Sequence, residues 1–143
     1  MGRLSLNGTR CQKGRYSTLH NTVVNLTSHP VHVYPVATPD RIESGSITPL
    51  CVIALSDRHQ SARLGYRVIE DENIDLGIPM HRVAFGTGIT PLPPPVPGTF
   101  YLVPLVVGLA AQHWDDLLVS HDTVRDLTGS IIGVRRLARP QHG

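Results

Sequence analysis

The chain has 143 residues, 41% of them hydrophobic and 17% charged, with a formal net charge of +2. That is about one domain, long enough to bury a core without disulfide or metal staples. The balance excludes a solvated, disordered chain and gives no broad basic surface for nucleic acid.

Charge is uneven along the chain. Residues 1–24 hold Arg3, Arg10, Lys13 and Arg15 and no acid. They are rich in Gly, Ser, Thr and Asn without sustained periodicity, which predicts a flexible basic arm. The arm has no apolar h-region, so no secretory signal is expected, a cytoplasmic location is, and the sequons at Asn7 and Asn25 carry no meaning. Cys11 and Cys51 lie far apart in unlike contexts, which predicts unlinked thiols in a reducing compartment. No aromatic residues interleave with the basic ones, so a nucleic-acid partner is not expected.

The domain proper is expected over residues 25–143. "VVNLTSHPVHVY" alternates through Val31 and Val33, with Pro30 at the start or edge of the strand. "LCVIALS" is a short apolar run, hence a buried strand, and "DRHQ" is a turn. "SARLGYRVIE" puts Leu64, Tyr66 and Val68 on one strand face, and "IPMHRVAFG" returns with Val83 and Phe85 together, after the acidic connection "DENIDLG". "TGITPLPPPVPG" holds five prolines in twelve residues, which rules out helix and ladder pairing and favours a stiff extended connector.

"FYLVPLVVGLAA" (100–111) is the one long apolar run. As a helix it spans only about 18 Å, short of a bilayer's ~30 Å core, so no membrane span is expected. "FYLV" favours strand, Pro104 suits a helix start, and Leu105, Leu109 and Ala110 are expected to face inward, with Gln112 and His113 outward. "DDLLVS" then resumes a strand, giving a strand–helix–strand crossover. "TVRDLTGSIIGVRRLAR" reads as a hairpin turning at Asp126, Thr128 and Gly129, with Gly133 marking a bulge or close backbone approach. The sum is an α+β fold: a mostly antiparallel sheet of about five to seven strands, one short helix and the N-terminal arm.

The chemistry-bearing residues form no catalytic set. His29 and His32 fall on opposite faces of a strand and cannot readily chelate one ion. No H-E-x-x-H or C-x-x-C occurs, so neither metal nor cofactor is expected. Ser120–His121–Asp122 are adjacent, whereas triads assemble from distant segments. Asp115–Asp116 is read as a solvated pair, and "GTGITP" lacks the helix that would aim amides at a phosphate. Asn25, Thr27, His29, Arg82, Thr123, Arg125 and Arg135 flank or interrupt apolar strands. Arginines inside a sheet pair with acids, face solvent or meet an anionic ligand. Those seven are the candidate ligand-binding residues.

"NLTSHPVHVY", "IPMHRVAFG", "PPPVPGTFYLVPLVVGLAAQHWDDLLV" and "VRDLTGSIIGVRRLAR" together resemble a family of small bacterial, notably actinobacterial, and phage proteins. Its layout runs N-L-T-P-H, then Y-I-V-S, then D-(L/V)-L-x-P, then R-D-x-x-G-x-I-x-x-V-R-R, over about residues 25–139. Ser28, Pro104 and Ser120–His121 depart from it, and Pro104 lacks the hydroxyl of the serine it replaces. The resemblance implies an accessory role in phage–host conflict or small-molecule sequestration. The expected function is a non-enzymatic, homo-oligomeric module that binds a small anionic, nucleotide-like ligand or a protein partner. The alternatives are an assembly component of a virion or compartment that uses its arm, and a small hydrolase that uses His29 or His121 with a carboxylate.

Overall fold

The computed structural model describes residues 3–4, 10–12, 15–72, 76–111 and 114–141, with the side chains of 3–4, 10–12, 72 and 87 excepted. The strands are β1 (Arg3–Leu4), β2 (Arg10–Gln12), β3 (Arg15–Ser17), β4 (Thr22–Asn25), β5 (Val31–Val33), β6 (Cys51–Ile53), β7 (Leu64–Glu72), β8 (Met80–Ile89) and β9 (Thr99–Leu102). Helix α1 (Leu105–Ala110) follows, then β10 (Leu117–Arg125) and β11 (Ile131–Ala138). One sheet runs β1-β2-β3-β4-β9-β10-β11-β5-β6, and β7 and β8 form a separate ribbon.

The sheet is mixed: five of its eight strand pairings are antiparallel and three are parallel. β9 pairs in parallel with both β4 and β10, and β11 pairs in parallel with β5. Pro104 is the reason at β9. It ends the strand, the chain turns straight into α1, and the six-residue helix returns it to run parallel as β10. The sheet also curls. A parallel bridge joins Asn25 at the end of β4 to Leu55 just past β6, and Ser56 N–H donates to Asn25 O at 3.0 Å. The result is a nearly closed, barrel-like sheet with one short helix.

Residues 15–17 and 22–24, expected in a flexible arm, are strand residues paired into this sheet. Val23 and Val24 explain why, since both are buried, on opposite faces of β4. The expected domain start at residue 25 therefore falls inside a strand.

The apolar run at Phe100 follows the same logic. Tyr101 and Val103 join Val24, Leu26, Val107, Ala111, Leu117 and Val119 in a cluster on the helix side. Phe100 and Leu102 join Val23, Val31, Ile53 and Val134 on the other side. A strand covered on both faces reads as an unbroken apolar run. Within α1 the buried positions are Val107 and Gly108, with Ala111 at its end, while Leu105, Val106 and Leu109 are exposed. The expected inward face was thus rotated, because Gly108 meets Val119 more closely than a leucine could. Gln112 and His113 lie outside the described residues.

The C-terminal hairpin forms as read. Asp126 Oδ1 accepts from Thr128 N at 2.9 Å and Ser130 N at 3.0 Å, and Gly129 sits at φ +90°. Gly133 is a close approach: a Cβ there would lie 2.5 Å from both His32 O and the Tyr34 ring. Among the described residues no helix is long and apolar enough to cross a membrane.

Candidate functional site: a basic cleft on the helix side of the sheet

Strand register builds the floor of a cleft of about 210 Å³. Arg15 of β3 pairs with Val24 of β4, which pairs with Tyr101 of β9, and cross-strand partners share a face. One step along the same face, Thr22 pairs with Thr99. One wall is the Ser56–His59 turn and the other is Val96 of the proline segment.

The turn is held from inside. Ser56 Oγ accepts the N–H groups of Arg58 and His59, at 3.3 and 3.2 Å. The His59 ring stands edge-on to Tyr101, with centroids 6.5 Å apart at 89°. Tyr101 O–H donates to Pro94 O at 3.3 Å, which ties the proline segment to the floor. Burial first, and then the nearby Asp116 carboxylate, pushes the Tyr101 hydroxyl's pKa up, so it stays a neutral donor.

Arg15 and Arg58, with Thr22, Ser56 and Thr99, line this space alongside the single acidic residue Asp57. No salt bridge joins Arg15 or Arg58 to a carboxylate among the described residues. A concave surface with excess positive charge and hydroxyl donors suits an anion.

The seven residues expected from the sequence do not converge here. Asn25 and Thr27 are buried and bond one another. Asn25 Nδ2 donates to Ile53 O at 2.9 Å and His29 O at 3.1 Å, and its Oδ1 accepts Thr27 N–H at 2.9 Å. This knot closes the barrel directly behind the Ser56 turn, so Asn25 positions the cleft without lining it. His29 is exposed and enters the knot only through its carbonyl. Arg82 lies on the ribbon, 3.2 Å from Glu70. Thr123 is half-buried on β10, and Arg125 Nη1 donates to Gly129 O at 2.7 Å.

Arg135 pairs with acids. Its Nη2 meets Asp122 Oδ1 at 2.7 Å and Asp40 Oδ1 at 2.5 Å, and its Nη1 donates to Thr38 O at 2.6 Å. Arg136 bonds the other oxygen of Asp122. The hydrogen bond from Arg135, joined by that from Arg136, lowers the Asp122 pKa below the ordinary carboxylate value. Asp122 holds φ +51°, a left-handed conformation that this paired network stabilises.

His121 is exposed, and neither its ring nor that of His29 meets a carboxylate among the described residues. The Asp115–Asp116 pair is not solvated as a pair. Asp115 is exposed, but both carboxylate oxygens of Asp116 are buried without a hydrogen-bond partner among the described residues. Burial raises the Asp116 pKa, opposed by the residue's own backbone N–H, which lies near the carboxylate without meeting hydrogen-bond geometry, and aided by the Asp115 charge. Cys51 is buried in β6, and the Cys11 side chain lies outside the described residues.

The cleft residues were missed for two reasons. Arg15 and Thr22 stand in the stretch expected to be an arm, and Arg58 and His59 in one dismissed as a turn. The available signal was Ser56 followed within three residues by Arg58 and His59, the pattern of a hydroxyl-capped turn presenting nitrogen-bearing side chains. No family model matches the chain, and no curated protein or solved structure matches it either.

Proposed function

We propose that the protein binds a small anionic ligand in the cleft between the Ser56–His59 turn and the β4–β9 floor. The carrying observation is the pair Arg15 and Arg58, which line one concavity beside Thr22, Ser56 and Thr99. At about 210 Å³ the space is below the ~300 Å³ typical of drug-sized ligand pockets. It holds one phosphate- or carboxylate-sized group while the rest of the ligand lies outside, along Val96 and the prolines. A nucleotide phosphate meets that description, and the arginine fork suits its oxygens. The resemblance to small phage and actinobacterial proteins is in keeping with sequestration of such a ligand during phage–host conflict.

The test is calorimetric titration of the full chain with inorganic phosphate and with AMP. Saturable binding is expected for at least AMP, weakened about tenfold or more by Arg15→Ala or Arg58→Ala and unchanged by Arg125→Ala. Absence of binding by both probes up to about 10 mM, or binding indifferent to the first two substitutions, overturns the reading.

A further inference from the structure

Sterics make the segment between β8 and β9 a polyproline II ligand in form. A proline fixes its own φ and pushes the residue before it out of the helical region. In Pro91-Leu92-Pro93-Pro94-Pro95-Val96-Pro97 one or both rules act on every residue from Leu92 to Val96. Residues 90–96 accordingly belong to no strand or helix. Both ends are clamped. Thr90 N–H donates to Arg63 O at 2.9 Å, and Thr99 N–H donates to Val96 O at 3.0 Å across a turn with Gly98 at φ +76°. Between them Leu92 packs on the helix-side core and Pro94 O accepts the Tyr101 hydroxyl.

A connector needs only this stiffness, but the segment also presents a face. Polyproline II has three residues per turn, so positions three apart share a ridge. Pro91, Pro94 and Pro97 form one ridge, and all three are exposed, as are Pro95 and Val96. Leu92 and Pro93 are the half-buried inner side. The carbonyls of Pro91, Leu92, Pro93 and Pro95 accept no hydrogen bond among the described residues. Exposed prolines three apart, with carbonyls open between them, are what an aromatic-lined groove recognises: its rings pack on the prolines and its donors take the carbonyls.

Charge narrows the partner. Along the sequence no basic residue flanks the prolines, which is why a plain connector is the reading from sequence. The fold supplies the missing charge. Val96 is a wall of the cleft that Arg15 and Arg58 also line, and neither arginine forms a salt bridge among the described residues. A groove with carboxylates on its rim complements that charge.

We propose that the Pro91–Pro97 segment docks in the aromatic, acid-rimmed groove of an SH3-type partner domain, with Arg58 at the rim. The segment is ordered before contact, so little conformational entropy is lost on docking. This docking does not rest on the anion reading of the cleft, and it is measured without phosphate or nucleotide.

The test titrates the full chain into a panel of purified SH3 domains with acidic and with neutral rims, following groove-tryptophan fluorescence. Saturable binding is expected for acid-rimmed domains, with Kd of roughly 1–100 µM. Pro94→Ala with Pro97→Ala weakens it about tenfold or more, and Val96→Asp does the same while keeping every proline. Arg58→Glu weakens it about tenfold and removes the preference for acidic rims. On binding, the amide resonances of Leu92, Val96 and Gly98 shift. No binding by any domain up to about 500 µM overturns the proposal. Binding indifferent to Val96→Asp, or amide shifts confined to other parts of the chain, also overturns it. Binding that survives Arg58→Glu undiminished, or that favours neutral rims, refutes the acid-rimmed partner.

Discussion

Asn25→Asp replaces a donor with an acceptor at the point where the barrel closes, in a side chain of almost the same shape. Asn25 is 1% exposed, and its Nδ2 serves two backbone carbonyls, Ile53 O and His29 O. An ionised carboxylate there confronts both oxygens with no proton to share, whereas the Oδ1 contacts to Thr27 survive. Two lost hydrogen bonds and a buried carbonyl left without a donor amount to about 3–5 kcal/mol. For a chain of this size that corresponds to a fall of roughly 10–17 °C in Tm. The neutral acid can still donate to one carbonyl, so the folded state favours protonation and raises the introduced group's pKa above the unfolded value of about 3.9. A raised folded pKa contributes stability that is full below the unfolded value and lost as pH rises through the folded one. Urea denaturation of parent and variant at pH 7 and about pH 4 measures this directly. The deficit relative to the parent is expected to be large at pH 7 and clearly smaller at the lower pH. A variant within about 0.5 kcal/mol of the parent at pH 7 would refute the reasoning, and so would a deficit that grows on acidification.

Gly133→Ala is expected to destabilise by about 2–3 kcal/mol, because the added Cβ meets backbone oxygen and ring carbon that cannot move aside. Gly129→Ala, at φ +90° with open space around it, is expected to cost only about 1 kcal/mol, and equal losses in chemical denaturation would contradict the close-approach account. Asp116→Asn is expected to stabilise the protein at pH 7 by on the order of 1 kcal/mol. The raised pKa of Asp116 means that its ionisation opposes folding as pH climbs above the ordinary value of 3.8, so the gain disappears in acid. Asp122→Asn behaves oppositely. The lowered pKa of Asp122 supplies stability above 3.8 that is lost as pH falls through the folded value, so the variant is weaker at neutral pH and converges on the parent in acid. Stability-versus-pH curves for both variants check the two signs.

Local signals in this chain were legible where a short span of residues settles the conformation. Asp126, Thr128 and Gly129 define a turn whose hydrogen bonds close within five residues, so the hairpin could be read from the sequence alone. Pro104 stops a strand and opens a helix by its fixed φ and missing N–H, whatever surrounds it. Alternation in "SARLGYRVIE" and "IPMHRVAFG" specified the two faces of the ribbon before any partner was known. Gly133 announced a crowded backbone, although not which ring would crowd it.

The sheet's parallel pairings, its curl and the cleft depended on contacts between segments remote in sequence. Nothing in residues 15–24 says that β4 will find β9, because "VV" is equally compatible with an arm, and only burial on both faces turns it into a central strand. Asn25 looked like a ligand-binding residue because its sequence shows a polar group beside apolar ones. Whether such a group meets solvent, a ligand or two backbone carbonyls is decided by what folds over it, here Ile53 from 28 residues away. Arg135 was ambiguous for the same reason until Asp40 and Asp122 arrived from different strands and loops. Local conformational preference is written in neighbouring residues; the company a side chain keeps is set by closure of the barrel, which brings Arg15 and Arg58 to one cleft across 43 positions of sequence.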